Sequence, residues 1–161
     1  MGIHNNRWGD LTGVPLTKGN GTGNDFIFVT DPQGVFNLTP ELVAAVCDRH
    51  FGIGSDGFIR ATKSSTILGP VEEDLWFMDY HNADGSLSEM CGNGVRAFVD
   101  YLRTEKLISL EVGEQIRIGT RGGIKTVGRT EGGYAIDMGP WGFIDGDSAR
   151  DSGSDALVSA R

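Results

Sequence analysis

Apolar positions along this chain follow two different periods, and each change of period marks an element. Phe26-Ile27-Phe28-Val29 is a short unbroken apolar run that ends at Asp31-Pro32, so it reads as a strand closed by a turn. Thr39-Pro40-Glu41 has the chemistry of a helix start. Thr39 can cap it, Pro40 suits the first helical position, and Glu41 suits the positive end of the helix dipole. Leu38 and Val43 stand at the positions of a hydrophobic staple. Val43, Val46 and Cys47 recur at helical spacing, which turns Cys47 toward a core. Phe58-Ile59 and Leu75-Trp76-Phe77-Met78 read as strands. A second helix is predicted over 93–106, with Val95, Phe98, Val99 and Leu102 on one face and Arg96, Asp100 and Arg103 on others. Short strands over 115–118, 124–127 and 134–138 follow, joined by Gly-rich turns.

The flanks lack such patterns. Residues 1–17 show no period and read as a disordered leader, and Gly19-Asn20-Gly21-Thr22-Gly23 reads as a flexible loop. From Gly142 onward Asp, Ser and Gly dominate, so 142–161 reads as a linker beyond a folded unit of 18–141. Periodicity alone supports a mixed α/β (α+β) fold.

Composition narrows the function classes. A net charge of -8 disfavours nucleic acid as a partner, because an acidic surface repels phosphates. No apolar run approaches the ~20 residues needed to cross a bilayer, and no basic start precedes an apolar segment as in a signal peptide. Two cysteines, Cys47 and Cys91, make no disulfide framework. The expected setting is therefore cytoplasmic, where thiols stay reduced and reactive. Asn37-Leu38-Thr39 matches a glycosylation triplet, a pattern common by chance.

The segment with the most chemistry is Asn82-Ala83-Asp84-Gly85-Ser86 and, after four residues, Cys91-Gly92-Asn93-Gly94-Val95-Arg96. Its first part is a turn by composition. Its second part puts a thiol at a predicted helix start. The first amides of a helix have no internal partner and the dipole makes that end positive, a setting that favours thiolate and can hold a carboxylate. Gly92 and Gly94 allow close backbone approach to an anion. Taken alone, a cysteine beside glycines is equally consistent with a small structural residue.

Asn-x-Asp-Gly-Ser, four residues, then Cys-Gly-Asn-Gly-x-Arg resembles the signature of diaminopimelate epimerases throughout. Gly23-Asn24-Asp25-Phe26, Gly52-Ile53-Gly54-Ser55-Asp56-Gly57, Thr120-Arg121-Gly122-Gly123 and Ile136-Asp137-Met138-Gly139 resemble further family segments in the same order, from about Lys18 to Pro140 and more faintly into Asp155-Ala156-Leu157. Trp76-Phe77-Met78-Asp79-Tyr80 is most similar to actinobacterial members.

The resemblance implies one lobe of a two-lobed fold, with short strands around a central helix that follows Cys91. It implies interconversion of LL- and meso-diaminopimelate, a step of lysine and peptidoglycan-precursor biosynthesis. One cysteine thiolate removes the α-proton and a second thiol reprotonates the opposite face, without pyridoxal phosphate or metal. Cys91 matches one of those thiols. Gly92 and Asn93 match backbone donors to the substrate, and Asn24 and Asn82 match side chains that bind its polar groups. The full-length protein would be a homodimer.

The chain also departs from the family. It holds no second Cys-Gly segment, and Cys47, inside a predicted helix, reads as a core residue. The expectation is therefore an N-terminal half that is inactive alone, prone to self-association through the apolar surface its partner lobe would cover. Gly57 stands where many members carry Gln that touches substrate. Gly52-x-Gly54-x-x-Gly57 matches a dinucleotide fingerprint, but it follows a helix and precedes a strand, the reverse of that motif's order. His50 and His81 lack partners at metal-ligand spacing, and His4 lies in the unpatterned leader. Two other readings stay open: a different cofactor-independent racemase of this fold, or a non-catalytic half-lobe. Proline racemases usually carry His where Asn93 stands.

Overall fold

The computed structural model describes residues 8–138, 141–143 and 158–160. A four-stranded sheet is its centre, in the order β1 (Thr17–Gly21), β2 (Asn24–Thr30), β3 (Gly57–Lys63) and β4 (Trp76–Asn82). The β1–β2 and β3–β4 pairs are antiparallel, and β2–β3 is parallel. A parallel pair needs a long crossover. Here α1 (Pro40–Cys47) lies within it.

The apolar run in β2 is unbroken because both faces of the sheet are covered. Ile27 and Val29 pack with Val43, Val46 and Cys47 of α1 and with Phe58. Phe26 and Phe28 pack on the other face with Ile59, Met78 and Tyr80, against Val95, Phe98, Val99 and Leu102 of α3 (Gly92–Thr104). All four of these α3 side chains are fully buried, as the predicted stripe requires. A second sheet, β5 (Gln115–Ile118), β6 (Lys125–Thr130) and β7 (Gly133–Asp137), is an antiparallel meander. Its Ile118 and Val127 close the α3-side core.

Most predicted elements are present. Thr39 caps α1 by accepting from the Leu42 amide at 3.2 Å, and Pro40 occupies its first turn. The helix predicted over 93–106 runs from Gly92 to Thr104. Three expectations are corrected. The segment read as a flexible loop is strand β1, with Gly19, Asn20 and Gly21 paired to Phe26, Asp25 and Asn24. Pairing across a two-residue turn overrides its weak strand propensity. Thr22 and Gly23 both hold positive φ, at 54° and 88°, as tight hairpin turns demand.

The region read as a leader is packed from Trp8 onward. Leu11 is buried, and Trp8, Val14 and Leu16 lie against the α1-side core. Residues 1–7, and His4 with them, fall outside the described part. Within the region read as a linker, β8 (Trp141–Phe143) pairs antiparallel with β9 (Val158–Ala160); 144–157 and 161 fall outside the described part. The short helix α2 (Ser64–Leu68) had no periodic signal, and an Asp74 carboxylate accepting from the Ser65 amide at 2.8 Å helps start it.

Candidate active site

One end of the main sheet gathers the residues singled out by sequence. The register aligns Phe26 with Gly57 and Gly57 with Asn82, so Asn24, Gly57 and Asn82 lie near the same edge. By strand alternation they share the face that α3 covers. Helix α3 points its N-terminus at this edge. Cys91 is its N-cap, extended at φ -136° and ψ 119°, and its Sγ accepts from the Gly94 amide at 3.4 Å. The Val95 amide closes the first helical turn on the Cys91 carbonyl at 2.8 Å. The amides of Gly92 and Asn93 have no intrahelical acceptor, as at any helix start. Cys91 is half-buried and packs on the cluster that contains Tyr80.

Asn93 Nδ2 donates to Asn24 Oδ1 at 2.8 Å. Arg96, one turn along α3, donates to Asn93 Oδ1 and, at 2.8 Å, to Thr22 Oγ1 at the β1–β2 turn. Asn24 Nδ2 donates to Asp56 Oδ2 at 3.2 Å. The guanidinium of Arg49 clamps both carboxylates behind it, reaching Asp25 at 3.0 and 2.7 Å and Asp56 at 2.9 Å. Arg49's hydrogen bonds hold the Asp25 carboxyl well below the usual range, with Lys18 adding to the effect against partial burial. The amide orientations of Asn24 and Asn93 are thus set by a connected polar chain rather than by solvent.

The sequence profile of the family described as diaminopimelate epimerase matches residues 16–144. The chain belongs to the diaminopimelate epimerase family. Similar curated proteins carry the same description. That of Corynebacterium glutamicum strain R is 48% identical over 115 residues, covering 71% of this chain and 40% of the relative. That of Thermobifida fusca is 42% identical over 143 residues, covering 84% and 51%. That of Streptomyces coelicolor is 43% identical over 132 residues, covering 80% and 45%. The chain therefore spans about half the length of these relatives. Among solved structures, a Bacillus anthracis phenazine biosynthesis protein of the PhzF family is similar in fold. Its TM-score is 0.57 at 19% identity, covering 82% of this chain and 42% of that one.

Within this family member, the residues expected at the site are only partly brought together. Cys91, Gly92, Asn93 and Asn24 form one constellation. Asn82 lies at the same sheet end, but its side chain is engaged in its own turn, donating to Ser86 Oγ at 3.0 Å. That turn is tight: the Gly85 amide reaches the Asn82 carbonyl at 2.9 Å, and Asp84 Oδ1 accepts from the Ser86 amide and hydroxyl at 2.9 and 2.6 Å. Cys47 is remote, buried on the α1 side of the sheet and accepting from Ser55 Oγ at 3.2 Å. Burial pushes its thiol pKa up, so it stays a protonated core residue.

Asp79 of β4 organises a buried charge cluster beside this edge. It is fully buried, with Arg60 Nε donating to it at 2.7 Å and Arg121 Nη2 at 2.5 Å. His81 Nε2 lies 3.2 Å from Asp79 Oδ1, without the alignment of a hydrogen bond. Burial works to raise the Asp79 pKa, but the neighbouring His81, Arg60 and Arg121 outweigh it and hold the carboxyl well below its usual range. Among the described residues, no group of three or more His, Cys, Asp or Glu side chains converges at metal-ligand spacing, and no helix is long and apolar enough to cross a membrane.

Sequence reasoning missed Arg96, Thr22, Asp56 and Arg49 as parts of the site. Arg96 carried a usable signal, because it stands three residues after Asn93 on a helix and so shares its face. Arg49 and Asp56 carried none, since only the fold places them behind Asn24.

Proposed function

We propose that this chain forms the N-terminal lobe of a cytoplasmic, homodimeric diaminopimelate epimerase, with Cys91 as one of two thiols that invert the α-carbon. The observation that carries this reading is the N-cap position of the Cys91 sulfur, beside the amides of Gly92 and Asn93 and the Asn24–Asn93 pair. A substrate carboxylate bound to the Gly92 and Asn93 amides sits at the positive end of α3. Asn24 and Asn82 offer neutral polar groups for the rest of the amino acid. In the forward step the Cys91 thiolate takes the α-proton, and the C–H electron pair remains on carbon as a carbanion. A thiol on the opposite face donates its proton to that carbon, and the two sulfurs exchange protonation states. The α-proton is very weakly acidic, so preorganised dipoles and exclusion of water must lower the barrier.

Cys47 does not supply the second thiol. It lies on the far side of the main sheet, buried and protonated. The opposing acid belongs to a second lobe, and the 161-residue chain is inactive by itself. The test is α-deuterium incorporation into LL-diaminopimelate in heavy water. A two-lobed protein carrying this chain should exchange the α-position, and its Cys91→Ala variant should lose that exchange. No exchange by the two-lobed protein overturns the activity. Exchange by the 161-residue chain alone overturns the requirement for a second lobe.

A further inference from the structure

We propose that Arg96 and Thr22 form a latch that fixes which way the Asn93 and Asn24 side-chain amides face, an assignment that rests on the reading of this edge as the substrate site. Both are positioning residues, acting on a ligand through the two asparagines.

Thr22 holds φ at 54°, in the left-handed region, where a β-branched side chain is strained and Asn or Gly is the ordinary choice at a two-residue hairpin turn. Such strain persists where the surroundings over-determine it. Here the Thr22 hydroxyl oxygen accepts from Arg96 Nη2 at 2.8 Å, and the same nitrogen donates to Asn93 Oδ1. A terminal guanidinium nitrogen carries two hydrogens, so these acceptors use both. The turn reaches Arg96 because β1 touches α3 directly. A Cβ at Gly21 would stand 2.8 Å from the Asn93 carbonyl oxygen and 3.3 Å from Ala97 Cβ. The Thr22 hydroxyl has no part in the backbone pairing of β1 with β2, and a glycine there would make the same turn without strain.

Arg96 also gives the amide pair a direction. Asn93 Nδ2 donates to Asn24 Oδ1 at 2.8 Å, and Asn24 Nδ2 donates to Asp56 Oδ2 at 3.2 Å. Donation thus runs one way, from a cation through two neutral amides to a carboxylate. Reversing one amide alone sets nitrogen against nitrogen, or oxygen against oxygen, between the asparagines. Reversing both sets Asn93 Nδ2 against the guanidinium and Asn24 Oδ1 against the Asp56 carboxylate. Arg96 therefore guards one end of the pair and Asp56 the other. Arg96 is a long, mobile side chain by nature, and its second bond, to Thr22, keeps it on Asn93 rather than in water. Asn24 is left with one Nδ2 hydrogen and one Oδ1 lone pair outside the chain, held in fixed directions for a polar ligand.

The first test needs no turnover. Hydrogen exchange of the Asn93 and Asn24 side-chain amides is read from 1H–15N spectra of the 161-residue chain, assigned with Asn93→Ala and Asn24→Ala. Thr22→Val removes the acceptor and keeps the branched shape. It should speed exchange of the Asn93 side chain about tenfold, the weight of one hydrogen bond to a charged group. Arg96→Met should do the same, and Thr22→Ser should keep the slow rate. Val and Ser both place a Cβ at the same φ, so the difference between them isolates the hydroxyl. In a two-lobed protein carrying this chain, Thr22→Val and Arg96→Met should raise KM for LL-diaminopimelate about tenfold and change kcat less than about twofold, because they loosen binding groups and leave the Cys91 sulfur in place. Asn93 exchange unmoved by both substitutions overturns the latch, and so does an unchanged KM in an active two-lobed protein. A two-lobed protein without activity defeats the proposed function and leaves the exchange rates to decide the latch.

Discussion

Removing the Asp79 carboxylate is the severest test of how the fold holds the site edge. Asp79 has no exposed side-chain surface, while Arg60 and Arg121 are 13% and 22% exposed. Asp79→Ala leaves two guanidinium groups facing a vacated site. Breaking a buried ion pair from one side costs about 3–5 kcal/mol. Arg60 keeps other partners, the Phe36 carbonyl at 3.2 Å and Asp31 Oδ2 at 3.5 Å, and Arg121 can turn toward water. The expected loss therefore sits near the lower end, about 3 kcal/mol. For a chain of this size that lowers Tm by roughly 6–12 °C. Urea and thermal denaturation followed by circular dichroism at neutral pH measure it. A loss below about 1 kcal/mol would refute the reasoning, because it would mean the carboxylate is not the groups' main counter-charge. The pH dependence has a definite sign. The folded carboxyl titrates well below its unfolded value, so its contribution is complete above about pH 4 and drains away as pH falls toward the folded pKa. Asp79→Asn should flatten the acid limb of the stability curve.

Two further outcomes test other parts of the structure. Gly85 holds φ at 84°, and a Cβ there would stand 2.2 Å from the Pro40 carbonyl oxygen, so Gly85→Ala combines backbone strain with a clash against α1. It should destabilise by roughly 2 kcal/mol or more in urea titration, and a neutral substitution would show that the turn does not dock there. Iodoacetamide should label Cys91 in the native chain and Cys47 only after denaturation, read by peptide mass mapping. Equal native rates would contradict the buried, Ser55-bonded setting of Cys47.

Local chemistry made much of the molecule legible. The cap at Thr39, the stripe of Val95, Phe98, Val99 and Leu102, and the turn at Asn82-Ala83-Asp84-Gly85-Ser86 depend on residues close in sequence, and each is found where its pattern predicts. The same locality let the segment from Cys91 to Arg96 be read as a thiol at a helix start, because capping is decided within one turn.

What locality could not supply is partnership. Gly19-Asn20-Gly21 has poor strand propensity and became β1 only because β2 stands beside it. Trp8 and Leu11 are too sparse to show a period, yet burial against α1 orders them. Cys47 and Cys91 are two thiols in one sequence, and only the sheet between them separates a core residue from a site residue. Arg49, Asp56 and Asn24 become one hydrogen-bonded chain through strand register, which no local pattern encodes. Cys91 and its helix start were determined by sequence because their energetics are short-range. The setting beside that helix start, including the Asn24–Asn93 pair, was decided by packing between elements far apart in the chain.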